Sequence, residues 1–126
     1  MAQTRYIPGV CNIGPAETTS RRRIGWFSLA AAVVITAVIF ALGLPAYTRA
    51  IAFIPLTIAA SGFIQAQLHF CAGFGAAGVF NFGSQIGQTD TVTQADYRAK
   101  DKRKAVQITT ISVLIGAVIS GILVLI

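Results

Sequence analysis

Three long runs without a charged residue constrain this chain more than any other feature of its sequence. The runs cover residues 24–48, 50–89 and 105–126. A helix needs about 20 apolar residues to cross the hydrocarbon core of a bilayer. The first and third runs each suit one such helix, whereas the second is too long for one span and too short for two with a turn. The chain is therefore predicted to be an all-α membrane protein with three spans. Its 11% of charged residues supports this, since soluble domains carry about 25%.

These runs divide a single integral membrane domain, residues 1–126, into six segments. The predicted segments are an N-terminal segment at 1–23, spans at 24–46, 48–68 and 105–126, an apolar segment at 69–83, and a loop with the base of the third helix at 84–104. The first two spans meet at the short stretch GLPAYTR, residues 43–49, so they are predicted to form an antiparallel hairpin. The third helix is predicted to be long and to project beyond the membrane.

The basic residues predict the orientation. Of ten lysines and arginines, three alternating spans place nine on one side and Arg49 alone on the other. Because cytoplasmic loops are rich in these residues, we expect the N-terminus in the cytoplasm and the C-terminus on the outer side of a plasma or inner membrane. Anionic lipid headgroups are the expected partners of two basic clusters: Arg21, Arg22 and Arg23, and Lys102, Arg103 and Lys104. No nucleic-acid-binding pattern accompanies them, so nucleic acid is not expected as a partner.

The ends of the first helix and of the third can also be predicted. Pro15 suits the first position of a helix, and Glu17 would then lie in its positive first turn. The third helix has no helix breaker before Gly116, so it is predicted to run unbroken over about residues 94–126. Pro55 is predicted to kink the second span, which a membrane helix tolerates if neighbours satisfy the freed carbonyl.

The base of the third helix combines a capping signal with paired charges. Thr93 followed three residues later by Asp96 resembles a capping box, which predicts Thr93 as the N-cap. Asp96 lies within one turn of Lys100, and Asp101 lies within one turn of Lys104. Opposite charges at this spacing stabilise helices, so we expect these acids to neutralise part of the basic cluster.

The stretch LHFCAGFGAAGVFNFG, residues 68–83, contains the only histidine and one of two cysteines. His69, Cys71 and Cys11 are all predicted on the cytoplasmic side, and such side chains are ligands for zinc and similar metals. His69 alone is a candidate for binding a haem, a pigment or a proton. The opposing interpretation is that the cysteines are small buried hydrophobes and that His69 hydrogen-bonds a neighbouring helix. No metal or cofactor is then needed.

The glycines of the same stretch predict close packing. Gly73, Gly75 and Gly78 interrupt an apolar segment, and glycine permits close backbone approach or a left-handed turn. We expect this segment to be interfacial or re-entrant and covered by protein. Gly116 and Ser120 form a small-x-x-x-small pair in the third span, a pattern that favours helix association in lipid.

These features favour a non-enzymatic function. Apart from Arg49 at the start of the second span, no charged residue lies within a predicted span, whereas pumps and coupled transporters usually need one. The leading hypothesis is a small structural or accessory subunit that packs with other membrane subunits or forms a homo-oligomer. The alternatives are a metal-, redox- or pigment-binding protein that uses His69 with Cys71 and Cys11, and an oligomeric pore.

Overall fold

The structure, a computed structural model, describes residues 5–126 and is mainly helical. Its elements in chain order are α1 (Pro15–Ala41), a 3-10 helix (Ala46–Ala52), α2 (Phe53–Leu68), α3 (Ala72–Ala77), β1 (Val79–Phe80), β2 (Asp90–Thr91) and α4 (Ala95–Leu125). β1 and β2 pair antiparallel, with Val79 opposite Thr91 and Phe80 opposite Asp90. This short ladder is absent from the all-α prediction, which agrees with the structure in that the chain is mainly helical and has three long apolar helices.

Three helical segments are long and apolar enough to cross a membrane. They are Pro15–Ala41, Ala46–Leu68 and Ala95–Leu125, so the predicted number of long apolar helices is confirmed. α1 begins at Pro15 as predicted, and α4 runs without a break for 31 residues. At about 1.5 Å per residue, α4 is roughly 46 Å long, which exceeds the ~30 Å hydrocarbon core.

One detail at the start of a helix differs from the predictions. The N-cap of α4 is Gln94, and its side chain makes no capping bond, so the predicted Thr93 cap is wrong. Thr93 instead lies one residue before the cap, where its carbonyl accepts a bond from the Arg98 guanidinium at 2.9 Å. Pro55 lies in the first turn of α2, directly after the 3-10 helix. Proline lacks an N–H, and the first turn of a helix has no intrahelical partner for it.

Helix α2 lies between α1 and α4. It packs along both neighbours, while α1 and α4 make at most marginal contact with each other. Glycines form the closest approaches, because an added Cβ at Gly62 would lie 2.8 Å from the Arg21 carbonyl oxygen and the Gly25 nitrogen of α1. A Cβ at Gly116 of α4 would overlap the Thr57 side chain of α2. The buried residues Gly25, Ala32 and Ile39 recur every seven positions along α1, which is the spacing of a coiled-coil-like seam.

The outward faces of the three long helices are apolar. Phe27 is 76% exposed, Trp26 is 62% exposed, and many valines, isoleucines and leucines of α1, α2 and α4 are exposed in the same way. Soluble monomers rarely expose contiguous apolar patches of this extent. The chain is therefore a membrane-embedded protein whose helices face lipid or other membrane proteins.

Arg49 joins the three spans at the end of the bundle opposite α3. Its guanidinium donates to the Leu123 carbonyl oxygen of α4 at 3.1 Å and lies 4.2 Å from the centre of the Phe40 ring of α1. The last carbonyls of a helix lack intrahelical partners and carry partial negative charge. The single cation of this end is thus held by the C-terminal turn of α4.

Candidate functional site: a buried polar end cap

The opposite end of the bundle is closed by segments that are far apart in the sequence. We define the end cap as residues 5–14, residues 69–94 and the first turns of α4, residues 95–104. Several of the polar residues that join these segments are almost fully buried, among them Asn12, Asn81 and Asp101, each at most 1% exposed. Burial of polar groups is costly unless they are hydrogen-bonded, so the bonds of these residues determine how the cap holds together.

Asn12 connects the N-terminal segment to the end of α2. Its side-chain oxygen accepts a bond from the Cys71 N–H at 2.6 Å, and its side-chain nitrogen donates to the Cys71 carbonyl at 3.1 Å. Its backbone N–H donates to the His69 carbonyl at 3.1 Å, and its carbonyl accepts from the Asn81 N–H at 2.9 Å. The amide side chain therefore completes a backbone ladder as a neighbouring strand would.

Asn81 plays the corresponding part in the second segment. Its carbonyl accepts from the Gly14 N–H at 2.9 Å. Its side-chain oxygen accepts from the Gly83 N–H at 2.9 Å, and its side-chain nitrogen donates to the Gln85 carbonyl at 2.8 Å. The bond from Gly83 closes a turn over two residues, which is typical of asparagine. Asn81 thus stabilises the turn at the end of the apolar segment and joins this segment to the start of α1.

Gln65 and His69 organise the turn between α2 and α3. His69 ends α2 in the left-handed conformation, with φ of 53°, a position where glycine or asparagine is usual. Its ring Nδ1 lies 3.3 Å from the Thr18 hydroxyl of α1. The Gln65 side-chain oxygen accepts from the Ala72 N–H at 2.8 Å, which satisfies one free donor at the start of α3.

Glu17 and Arg21 form an ion pair on the cap side of α1. The nearest oxygen and nitrogen lie 3.2 Å apart, and the Glu17 side chain is 1% exposed. The other carboxylate oxygen accepts from the Gly87 N–H at 2.9 Å. The Arg21 guanidinium also donates to the Cys71 sulfur at 3.0 Å and lies over the Phe74 ring. These contacts bind the loop before β2 and the start of α3 to the first turns of α1.

Asp101 anchors the N-terminal segment to α4. One carboxylate oxygen accepts from the Tyr6 hydroxyl at 2.6 Å, and the other accepts from the Gly9 N–H at 2.8 Å. Burial, and then the hydrogen bond to Asp101, raise the pKa of the Tyr6 phenol well above its usual value. Burial also raises the pKa of the Cys11 thiol, and Asp101 contributes to this in the same direction. Both groups are therefore neutral at physiological pH, and Cys11 is not an activated thiol.

The predicted metal ligands lie in the cap but do not converge. The Cys11 sulfur lies 3.4 Å from the Arg5 carbonyl oxygen, the Cys71 sulfur accepts from Arg21, and the His69 ring faces Thr18. No group of three or more His, Cys, Asp or Glu side chains in residues 5–126 is placed to hold a metal ion. Binding of a metal or pigment at His69 stays a prediction, which elemental analysis and an absorption spectrum of purified protein would test.

The glycines predicted for packing have different environments. An added Cβ at Gly75 would lie 2.8 Å from the Phe70 ring and 2.9 Å from the Asp101 carbonyl oxygen, so Gly75 permits α3 to contact α4. Gly78 has φ of +75° and ends α3, whereas Gly73 is exposed. Gly116 and Ser120 are buried against the chain's own helices. Their face is therefore used within one molecule, and it is not free for the oligomer contact that the sequence suggests.

The basic residues predicted to contact lipid headgroups also differ in their environments. Arg21 is paired with Glu17 and Cys71 through one guanidinium nitrogen, and its side chain is 16% exposed. Arg22, Arg23, Lys102 and Arg103 are exposed at the cap end. The predicted pairing of Asp101 with Lys104 is wrong, because the Asp101 carboxylate faces inward to Tyr6 and Gly9. Asp96 forms no ion pair with Lys100 in residues 5–126 either, so that predicted pairing is also wrong.

Sequence reasoning missed Asn12, Asn81 and the inward role of Asp101. One signal was present, since CNIG and FNFG each place an asparagine between apolar residues and two positions before a glycine. Comparison with protein-family models, with curated proteins and with solved structures finds no match for the chain.

Proposed function

We propose that this chain is a small structural or accessory subunit that packs laterally with other membrane proteins or with copies of itself. In this proposal the end cap, with nine of the ten basic residues on its side, lies in the cytoplasm. The C-terminus then lies on the outer side of a plasma or inner membrane.

An apolar cleft between α1 and α4 carries the proposal. Because these two helices barely touch, they leave a cleft of about 360 Å³ whose floor includes Leu56 of α2. Its walls include Ala32, Thr36 and Ala37 of α1 and Ile119 of α4. Small residues permit another helix to approach closely in lipid. The cleft is thus a surface at which a transmembrane helix of a partner subunit would pack.

The end cap supports the same proposal. The side chains of Asn12, Asn81, Gln65 and Asp101 bond to the chain itself, so they serve to fix its shape. Networks of buried polar groups that are fully hydrogen-bonded rigidify a fold. In this proposal α2 separates α1 from α4, and the end cap fixes the ends of these helices at one side of the bundle, so that the cleft stays open for a partner.

Filling the cleft tests the proposal. In Ala37→Trp the new side chain would occupy the cleft, whereas Ala117→Trp places the same side chain on an exposed part of α4 away from it. We expect Ala37→Trp to dissociate the assembly extracted from native membranes in mild detergent, as measured by native mass spectrometry, and Ala117→Trp to leave it intact. A wild-type chain that is recovered only as a lone 13.3 kDa polypeptide would refute the proposal.

A further inference from the structure

A basic pocket lies on the flank of α4 at the level of the end cap. Lys100, Arg103, Lys104 and Gln107 line it from α4, and Pro8 and Gly9 line it from the N-terminal segment, around a volume of about 270 Å³. The four α4 residues are spaced at i, i+3, i+4 and i+7, so they share one face of the helix. Three cations therefore converge on one small cavity.

The cations of this pocket are not neutralised by the acids nearest in the sequence. The Asp101 carboxylate faces away, toward Tyr6 and Gly9. Within residues 5–126, Glu17 and Arg21 form an ion pair. In the same residues no carboxylate lies within 4.0 Å of the charged nitrogens of Lys100, Arg103 or Lys104. Like charges that converge without a counter-ion repel each other. An anion in the pocket would remove that repulsion.

The wall of the pocket is held in place. The Gly9 N–H donates to Asp101 at 2.8 Å, and an added Cβ on Gly9 would lie 3.3 Å from the Lys100 Cβ. Gly9 has a backbone φ of +70°, which residues other than glycine rarely adopt. The loop therefore lies directly on α4 beside the cations, and the pocket exists before any ligand binds.

The pocket lies at the level of the lipid headgroups. The uncharged run of α4 begins at Ala105, so Lys104 lies at the edge of the hydrocarbon core and Lys100 lies about 6 Å farther out. The polar layer on each side of a bilayer is about 5–8 Å thick. Basic pockets at this depth suit headgroups such as those of cardiolipin or phosphorylated inositol lipids.

We propose that Lys100, Arg103 and Lys104, with the Gln107 amide, bind the phosphates of one multiply charged anionic lipid. The site differs from the contiguous cluster at residues 102–104, because Lys102 lies on the other flank of α4, where it lines a separate cavity with Ala72 and Val106. The inference goes beyond the proposed function, since it needs only the membrane-embedded chain and no partner subunit.

Native mass spectrometry of the full chain in mild detergent, titrated with cardiolipin, tests the site. We expect one cardiolipin to bind, and Lys100→Gln and Lys104→Gln to weaken its binding about fivefold each, or about 25-fold together. Lys102→Gln removes an equal charge from the same helix and should change the affinity less than twofold. We expect each variant to unfold thermally at the same temperature as the wild type, because the replaced side chains lie at the surface. This measurement serves as the control that the fold is retained.

Three results would overturn the proposal. The first is an equal loss for Lys102→Gln and Lys100→Gln, which would indicate diffuse attraction to the basic end. The second is unchanged cardiolipin binding in the double variant. The third is displacement of cardiolipin by an equal concentration of inorganic pyrophosphate, which would assign the pocket to a soluble phosphate compound. Persistence of the bound lipid under the same pyrophosphate challenge would support a lipid ligand.

Discussion

Replacement of Asn12 with alanine should loosen the end cap while leaving the three spans in place. The change removes both side-chain bonds to Cys71, at 2.6 and 3.1 Å, and leaves the buried Cys71 N–H without a partner. The Cys71 carbonyl still accepts from the Gly75 N–H at 2.9 Å. A buried group left unsatisfied costs about 1–3 kcal/mol. The orphaned Cys71 N–H therefore predicts that the free energy of opening the cap falls by about 1–3 kcal/mol.

The buried Cys71 thiol provides a direct assay. In a Cys11→Ala background Cys71 is the sole thiol, and it is 5% exposed. A maleimide can label it only when the cap opens, so the labelling rate reports the free energy of opening. A decrease of 1 kcal/mol corresponds to about a fivefold faster reaction. We expect at least this acceleration for Asn12→Ala in micelles, with little change in far-UV circular dichroism.

Gln67→Ala provides the matched control, because Gln67 is an exposed amide at the same end of α2. Its labelling rate should equal that of the parent chain. A rate for Asn12→Ala within about threefold of the parent would contradict the reasoning, since the two bonds would then contribute less than the ordinary cost of an orphaned group.

Three further predictions concern other contacts. Gly116→Ala should destabilise the chain by about 1–3 kcal/mol in thermal unfolding, since its Cβ would overlap Thr57, whereas Gly121→Ala, which has open space, should not. His69→Gly should be more stable than His69→Ala by about 1 kcal/mol, because φ of 53° strains alanine; equal melting temperatures would contradict this. The raised pKa of Tyr6 means that its contribution to stability is complete below pH 10 and is lost as the pH rises above it. The free energy of unfolding of Tyr6→Phe should therefore fall less steeply than that of the wild type above pH 10.

The spans could be predicted because a single physical requirement determines them. A bilayer excludes charge over about 20 residues of helix, and the uncharged runs show where that condition is met. The start of α1 at Pro15 was equally readable, since proline suits a first helical turn whatever surrounds it.

The end cap could not be predicted because its bonds join residues that are distant in the sequence. Asn12 and Cys71 are 59 positions apart, and Tyr6 and Asp101 are 95 positions apart. Helical spacing predicts an ion pair between Asp101 and a lysine one turn away, yet the Asp101 carboxylate is buried in the cap and bonds to Tyr6 and Gly9. In the same way, Gly116 and Ser120 have the pattern of an oligomer contact, and only the position of α2 shows that their face is already covered.

Hydrogen exchange of backbone amides in the membrane-embedded wild type tests the central claim most directly. The N–H groups of Asn12, Gly14, Cys71 and Asn81 lie outside the long helices, yet all donate to partners within the cap. The end-cap account predicts that these four amides exchange as slowly as amides in the middle of α2. Exchange at the rate of an unstructured peptide would contradict it, because the N-terminal segment would then not be joined to the segment that follows α2.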